Sequence, residues 1–435
     1  MCNGTIMDKL ISFSIPLMLS GILQLMFNAV DIVVVGRFSG SQALAAVGST
    51  TALINVFTNL FIGISLGANV LAARYYAAGK TKEMSETVHT AIALALVSGV
   101  AMAVIGVVFA RGALEIMGTP DDVIAKSTLY MRIYFCGMPF FMMYNYGAAI
   151  LRAVGDTKRP LIFLIVSGVI NAILNLFLVI GFHLDVAGVG IATVISQLVS
   201  CILVLRCLHH TESSYQLHLA KLRIRSVYLK QIFEVGVPAG IQSTVINISN
   251  AMLQSSVNSF GSIAMAGYTA SNNIFGFLYV SVNSFTQACM SFTSQNYGVK
   301  KLKRMDRVLI DCMILSVVVT LILGSSVYIF GPELLHIYSN QADVIKYGME
   351  IFSYTTVTYF LCGLMDLFPG ALRGMGYSTV PMILSIIGTV GVRIIWIYGL
   401  FPSHRSLTFL FLSYPVSWIA TIIMQVICFW FVRKK

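Results

Sequence analysis

Of the seventeen Asp and Glu residues in this sequence, two are enclosed in apolar runs, Asp31 and Asp366. Asp31 follows Leu25-Met26-Phe27-Asn28-Ala29-Val30 and precedes Ile32-Val33-Val34-Val35-Gly36. A carboxylate at the centre of a helix in hydrocarbon costs about 2.5–3.5 kcal/mol on insertion scales, so a retained one faces a cavity or a partner. Two chemistries suit it: taking up and releasing a proton or, left charged, attracting a sodium ion. The bland alternative is that Asp31 reaches outer water or pairs with Arg37. Asn171 and Asn175 are spaced i and i+4 and share a helix face, as do Thr193 and Gln197. Their amide and hydroxyl oxygens can complete a cation site begun by a carboxylate. As plain interhelical packing bonds they would each contribute about 0.6–2 kcal/mol.

Pro16 stands fifteen residues before Asp31 in the same run. Proline removes a backbone donor and crowds the preceding turn, so the helix either bends there or holds a static kink. A bendable helix with a titratable group is a switch, because protonation can bias two helix shapes. Asp366 either meets a cationic substrate or pairs with Arg373, one or two helical turns on. Arg393, in Val392-Arg393-Ile394-Ile395-Trp396, is the cation lying well inside a span and requires a buried acceptor, as a strut or as a substrate contact.

Enzymatic signatures are missing from the sequence. It has no Gly-rich phosphate loop ending in Lys-Ser/Thr, no metalloprotease helix and no Gly-x-Ser-x-Gly elbow. No catalytic set and no metal or other cofactor is expected. The eight cysteines lack metal-ligand spacing and mostly sit in apolar runs as small fillers. His209, His210 and His218 also lack that spacing and read as a solvated linker.

The elements that carry these residues follow from composition. The chain is 57% hydrophobic and 10% charged, too apolar to build a polar surface around a soluble core. Twelve long apolar runs recur, approximately at 11–35, 45–72, 87–110, 127–150, 161–182, 188–208, 233–258, 264–292, 308–330, 347–370, 378–400 and 407–431. Each is near the ~20 residues that a helix needs to cross a bilayer. The expectation is an all-α membrane protein, whose first run is a span rather than a cleaved signal.

Numbering the gaps alternately from inside puts 21 of the 28 Lys and Arg on the inner side. That bias sets topology with both termini in the cytoplasm, and it accounts for the net charge of +11 without a nucleic-acid partner. The chain is also duplicated. Leu151-Arg152-Ala153-Val154-Gly155 returns as Leu372-Arg373-Gly374-Met375-Gly376, 221 residues on, and the same register carries Tyr76 onto Tyr297 and Pro160 onto Pro381. It places Asn145 opposite Asp366. Six spans per half, an even number, predict a parallel repeat: an N-terminal lobe at 1–208, a cytoplasmic linker at 209–231 and a C-terminal lobe at 232–435.

Taken in order, three motifs resemble the multidrug and toxic compound extrusion (MATE) family. They are Pro16 with Asn28-Ala29-Val30-Asp31-Ile32-Val33-Val34-Val35-Gly36-Arg37, then Leu151-Arg152-Ala153-Val154-Gly155-Asp156-Thr157, then Asn171-Ala172-Ile173-Leu174-Asn175. The resemblance covers nearly the whole chain. It implies secondary efflux of organic cations or other drugs in exchange for protons or sodium, with two six-helix lobes opening a central cavity to each side in turn. It maps a coupling-cation site onto Asp31, with Asn171 and Thr193 at matching polar positions. Many members have a second aspartate where this chain has Asn175. The seventh-span glutamate of some members is missing from the stretch Val237–Asn247.

The expected partners are a small-molecule substrate, the coupling cation (H+ or Na+) and membrane lipid, with the chain working as a monomer. The 21 Met, 27 Phe and 19 Tyr permit an adaptable drug cavity as readily as they fit lipid-facing and packing roles. A flippase for lipid-linked precursors, or an exporter of one dedicated metabolite, would share the helices and the duplication. Its usual strongly cationic cavity has few candidate residues here.

Overall fold

The computed structural model describes residues 1–434 and is almost entirely helical. Lys435, counted above among the inner-side basic residues and closing the expected C-terminal lobe, lies outside the described residues. The first half contains α1 (Met7–Phe38), α2 (Ser41–Ala77), α3 (Thr81–Ile116), α4 (Asp121–Cys136), α5 (Met138–Ala153), α6 (Lys158–Asn175) and α7 (Asp185–His209). A π-helical segment, Leu176–Gly181, prolongs α6. The second half contains α8 (Ser226–Asn258), α9 (Ser262–Gly298), α10 (Leu302–Ile329), α11 (Gly331–His336), α12 (Ala342–Thr355) and α13 (Tyr359–Gly374). It continues through α14 (Thr379–Ser385), α15 (Val392–Ile395), α16 (Leu407–Phe411) and α17 (Ser413–Lys434).

The duplication extends to the helix ends. A shift of 221 residues carries α2 onto α9 and α5 onto α13 with both ends matching. The repeated Leu-Arg-x-x-Gly motif has a structural cause. After α5, Asp156 N–H donates to Leu151 C=O and Gly155 N–H to Arg152 C=O; after α13, Tyr377 and Gly376 do the same to Leu372 and Arg373. This double closure of a helix end needs a left-handed residue, supplied by Gly155 (φ 100°) and Gly376 (φ 97°).

Among the described residues, eight helical stretches are long and apolar enough to cross a membrane, three of them joining consecutive elements (158–181, 379–403 and 407–434), and a ninth span counts if α12 and α13, bent by 53°, are taken together. Stripes such as Val100, Val104 and Val108 on α3, and Ile419, Ile423 and Ile427 on α17, point outward. Only a lipid surround makes such faces inexpensive.

The run expected as one span at 127–150 is broken at Gly137 into α4 and α5. Pro139 cannot donate a backbone bond to the turn before it, which ends the straight helix there. The corresponding break between α12 and α13 has no proline. Instead Thr355, Thr356 and Thr358 each donate a hydroxyl to the carbonyl four residues back. Such back-bonding competes with the helix ladder and bends it.

By internal packing the chain forms two units, one of Leu19–Gly240 and one of Met1–Met18 with Ile241–Lys435. The first has a single core running from Val34 to Ile232, including Phe135, Tyr146 and Ile150. The connector lies against this core's rim: Arg223 and Arg225 grip Glu86 of α3 at 2.5 and 3.1 Å, and the backbone N–H of His218 donates to His89 Nε2. In the second unit, Leu10, Phe13 and Leu17 of α1 are buried with Phe285, Phe292 and Leu309. The division of α1 thus falls just after Pro16, which lies inside the helix.

Candidate site at Asp31

Two helices bring the site together. Phe27, one turn before Asp31 on α1, lies on Gly168 of α6, two turns before Asn175. A Cβ on Gly168 would come within 1.9 Å of the Phe27 ring, so only glycine permits this approach. The contact sets α1 and α6 so that Asn175 Nδ2 donates to Asp31 Oδ1. The same nitrogen donates to Asn171 Oδ1 at 3.1 Å. The i, i+4 face expected from the sequence therefore exists and is turned toward the carboxylate. Asn171 and Asn175 are buried and Asp31 is half-buried.

With both amide hydrogens directed at oxygens, Asn175 Oδ1 is left buried without a hydrogen-bond partner. An orphaned buried carbonyl carries a desolvation cost of about 1–3 kcal/mol. A second orphan lies on α7, where Gln197 Oε1 is buried without a partner. Thr193, one turn earlier, donates its hydroxyl to Val189 C=O at 2.9 Å and keeps its oxygen lone pairs available. Tyr130 and Tyr134 of α4 are within electrostatic reach of Asp31, and Tyr134 also neighbours Gln197. The hydrogen-bonded cluster is one carboxylate with the two amides of Asn175 and Asn171, and Thr193 is not joined to it by a hydrogen bond among the described residues. Such a set accommodates a proton or a small hard cation.

Of the bland alternatives for Asp31, the pair with Arg37 is not formed: Arg37 is exposed and makes no ion pair with it among the described residues. Tyr130, Tyr134 and Phe27 were not anticipated. The tyrosines carried an i, i+4 signal, but within a run read as a continuous hydrophobic span.

The MatE family profile matches residues 16–177 and again residues 238–398, the two halves of the duplication. The chain belongs to the MatE family. Its relatives include the probable multidrug resistance protein YoeA of Bacillus subtilis (strain 168), 29% identical over 97% of this chain and 93% of the relative. The multidrug export protein MepA of Staphylococcus saprophyticus is 23% identical over 92% of this chain and 89% of its own length. A MATE crystal structure in the bent conformation has the same fold, with a TM-score of 0.88 at 19% identity over 99% of this chain and 95% of that one.

In this MatE chain the remaining predicted residues are scattered. Asn145 donates to Phe141 C=O at 2.8 Å, within its own helix, and takes no part in the Asp31 cluster. Asp366 and Arg373 feel each other's charge but form no ion pair; Arg373 Nη2 donates instead to Gln242 Oε1 at 2.6 Å. The pairing weighed for Asp366 is therefore long-range. Arg393 has the acceptors its position demands, and all are neutral: half-buried Asn250 Oδ1 at 2.7 Å and the buried Ser417 Oγ at 3.3 Å and Ser249 Oγ at 3.5 Å.

Proposed function

We propose that this chain exports small organic compounds, often cationic, across the cell membrane in exchange for a coupling cation, a proton or a sodium ion. The observation that carries the reading is the Asp31 carboxylate beside an Asn175 carbonyl oxygen that is buried and unpartnered. A membrane helix keeps such a pair at a cost, and ion exchange is a use that repays it. The relatives' names, a probable multidrug resistance protein and a multidrug export protein, support the drug-export half of the reading.

Asp31 binds the ion, and Asn175 reports its occupancy. With Asp31 ionised, the amide presents Nδ2. A proton on Asp31 turns that oxygen into a donor, and rotation of the amide then offers Oδ1 as its acceptor. A sodium ion achieves the same rotation by drawing Asn175 Oδ1 toward itself, alongside Asp31 and Asn171 Oδ1. Thr193 supplies a further oxygen. The change reaches the rest of α1, whose first turns pack in the other unit, by bending near Pro16. Substrate is exposed to each face of the membrane in turn, both termini lie in the cytoplasm, and one chain suffices.

Uptake of a fluorescent organic cation into everted membrane vesicles, under a proton gradient and a sodium gradient imposed separately, tests the reading and identifies the ion. Uptake driven by one gradient, and lost by tenfold or more in Asp31→Asn, is expected. Uptake that ignores both gradients contradicts it.

A further inference from the structure

Arg393 is 3% exposed and belongs to none of the eight ion pairs among the described residues. Two carboxylates within the helices of its unit have other charged neighbours: half-buried Asp366 has Arg373, and buried Asp311 pairs with Arg307. The guanidinium is held on one side only: Nε donates to Ser417, and Nη1 donates to Ser249 and Asn250. Its Cζ lies 4.7 Å from the centroid of the Tyr414 ring, whose hydroxyl shares a 2.9 Å bond with that of Tyr268. Nη2 has no hydrogen bond to any described residue. A buried guanidinium with both Nη2 N–H groups free and no counter-charge can form charge-assisted hydrogen bonds to the oxygens of an anion such as a carboxylate.

Its place in the repeat adds an independent argument. The 221-residue register pairs Ser249 with Asn28, Asn250 with Ala29, and Arg393 with Ala172, the neighbour of Asn171. The same two repeat helices that hold Asp31 against Asn175 in one half hold Asn250 against Arg393 in the other. One pair is an acid with amides; the other is a base with an amide. The second half also has a π-helical segment without a counterpart, Ile386–Gly391, just before Arg393, and a further one, Trp396–Leu400, just after it. A π turn rotates the residues beyond it about the helix axis, and such turns gather at functional sites.

We propose that Arg393 binds the carboxylate of the carried compound, with Asn250 and Tyr414, both half-buried, flanking it. The inference rests on the exporter reading and narrows its substrate class: zwitterionic and carboxylated organic compounds are carried alongside simple cations.

The test is equilibrium binding to the purified full chain in detergent micelles, read by fluorescence anisotropy. The probes are a carboxylate-bearing rhodamine and its methyl ester, which differ only in the group at issue. The parent binds the carboxylated dye, and its preference for that dye over the ester falls at least tenfold in Arg393→Gln. Asn250→Asp places a permanent carboxylate beside the guanidinium without removing the cation, and it lowers the same ratio by a similar factor. A ratio unchanged in both variants overturns the proposal and leaves Arg393 as a strut. A parent that does not bind the carboxylated dye overturns it as well. Loss of gradient-driven export with this selectivity intact counts against the exporter reading and not against the site.

Discussion

Asn175 donates its side-chain nitrogen to Asp31, 144 residues away in sequence, and in doing so leaves its own carbonyl oxygen buried and unpartnered. In the proposed ion exchange, this contact is where the ion acts. A charged carboxylate needs the donor, whereas a protonated one, or one holding a sodium ion, needs the acceptor. The same side chain supplies either by rotating.

Asn175→Leu removes both faces of the amide. Transport is expected to fall at least tenfold, while the fold loses about 1–3 kcal/mol for the broken hydrogen bond to a charged group. Gradient-driven uptake and thermal unfolding, measured on the same preparation, check this. Asn175→Asp adds a second carboxylate beside the first and is expected to keep transport with a steeper dependence on the coupling ion. Full transport in Asn175→Leu would remove the amide from the mechanism.

Gly168 leaves room for Phe27 one turn before Asp31. In Gly168→Ala the new methyl meets the Phe27 ring, and the expected loss is about 1–3 kcal/mol from overpacking. Combined with Phe27→Leu, the penalty for the same methyl should shrink by more than half, as coupled neighbours require. Thermal unfolding of the four proteins in that cycle measures the coupling. Simple additivity would show that the contact does not position α1 on α6.

Acid should release the connector. Burial, with Lys221, His89 and His209 nearby, lowers the pKa of the His218 imidazole below its ordinary 6.5. The docked connector therefore binds fewer protons than the released one, so docking is stabilised above pH 6.5 and weakens as pH falls below it. The His218 amide, which donates to His89 Nε2 at 3.1 Å, should exchange with solvent faster at pH 5.5 than at pH 7.5 once intrinsic rates are corrected. Protection independent of pH would contradict this.

Glu86 fastens the same connector through Arg223 and Arg225, but both arginines are about half exposed, so each bond contributes under about 1 kcal/mol. Glu86→Gln is expected to raise protease cleavage within residues 210–225 several-fold while barely moving the unfolding midpoint. Unchanged cleavage would mean that the two arginines do not hold the connector down.

Much of this was legible in the sequence, for identifiable reasons. The duplication was visible because Gly155 and Gly376 close the same helix end in both halves, and that geometry tolerates few other residues. The Asn171–Asn175 face could be read because i, i+4 spacing alone defines it. That it meets Asp31 could not, since the approach depends on Phe27 lying on a glycine far away in the sequence. The break at Gly137 was hidden because apolar residues continue through it. The parting of Asp366 from Arg373 was hidden because their separation in sequence allowed a pair, and Gln242 on another helix took the guanidinium.

The central claim is that Asp31 carries the coupling ion, and counterflow tests it most directly. Purified protein in liposomes, loaded with ion and holding a fluorescent ion indicator, is given an organic cation on one side. Substrate entry should drive protons or sodium out of the parent liposomes, and Asp31→Asn should abolish that efflux while the protein still binds substrate. Substrate-driven ion efflux persisting in Asp31→Asn would place the coupling ion elsewhere.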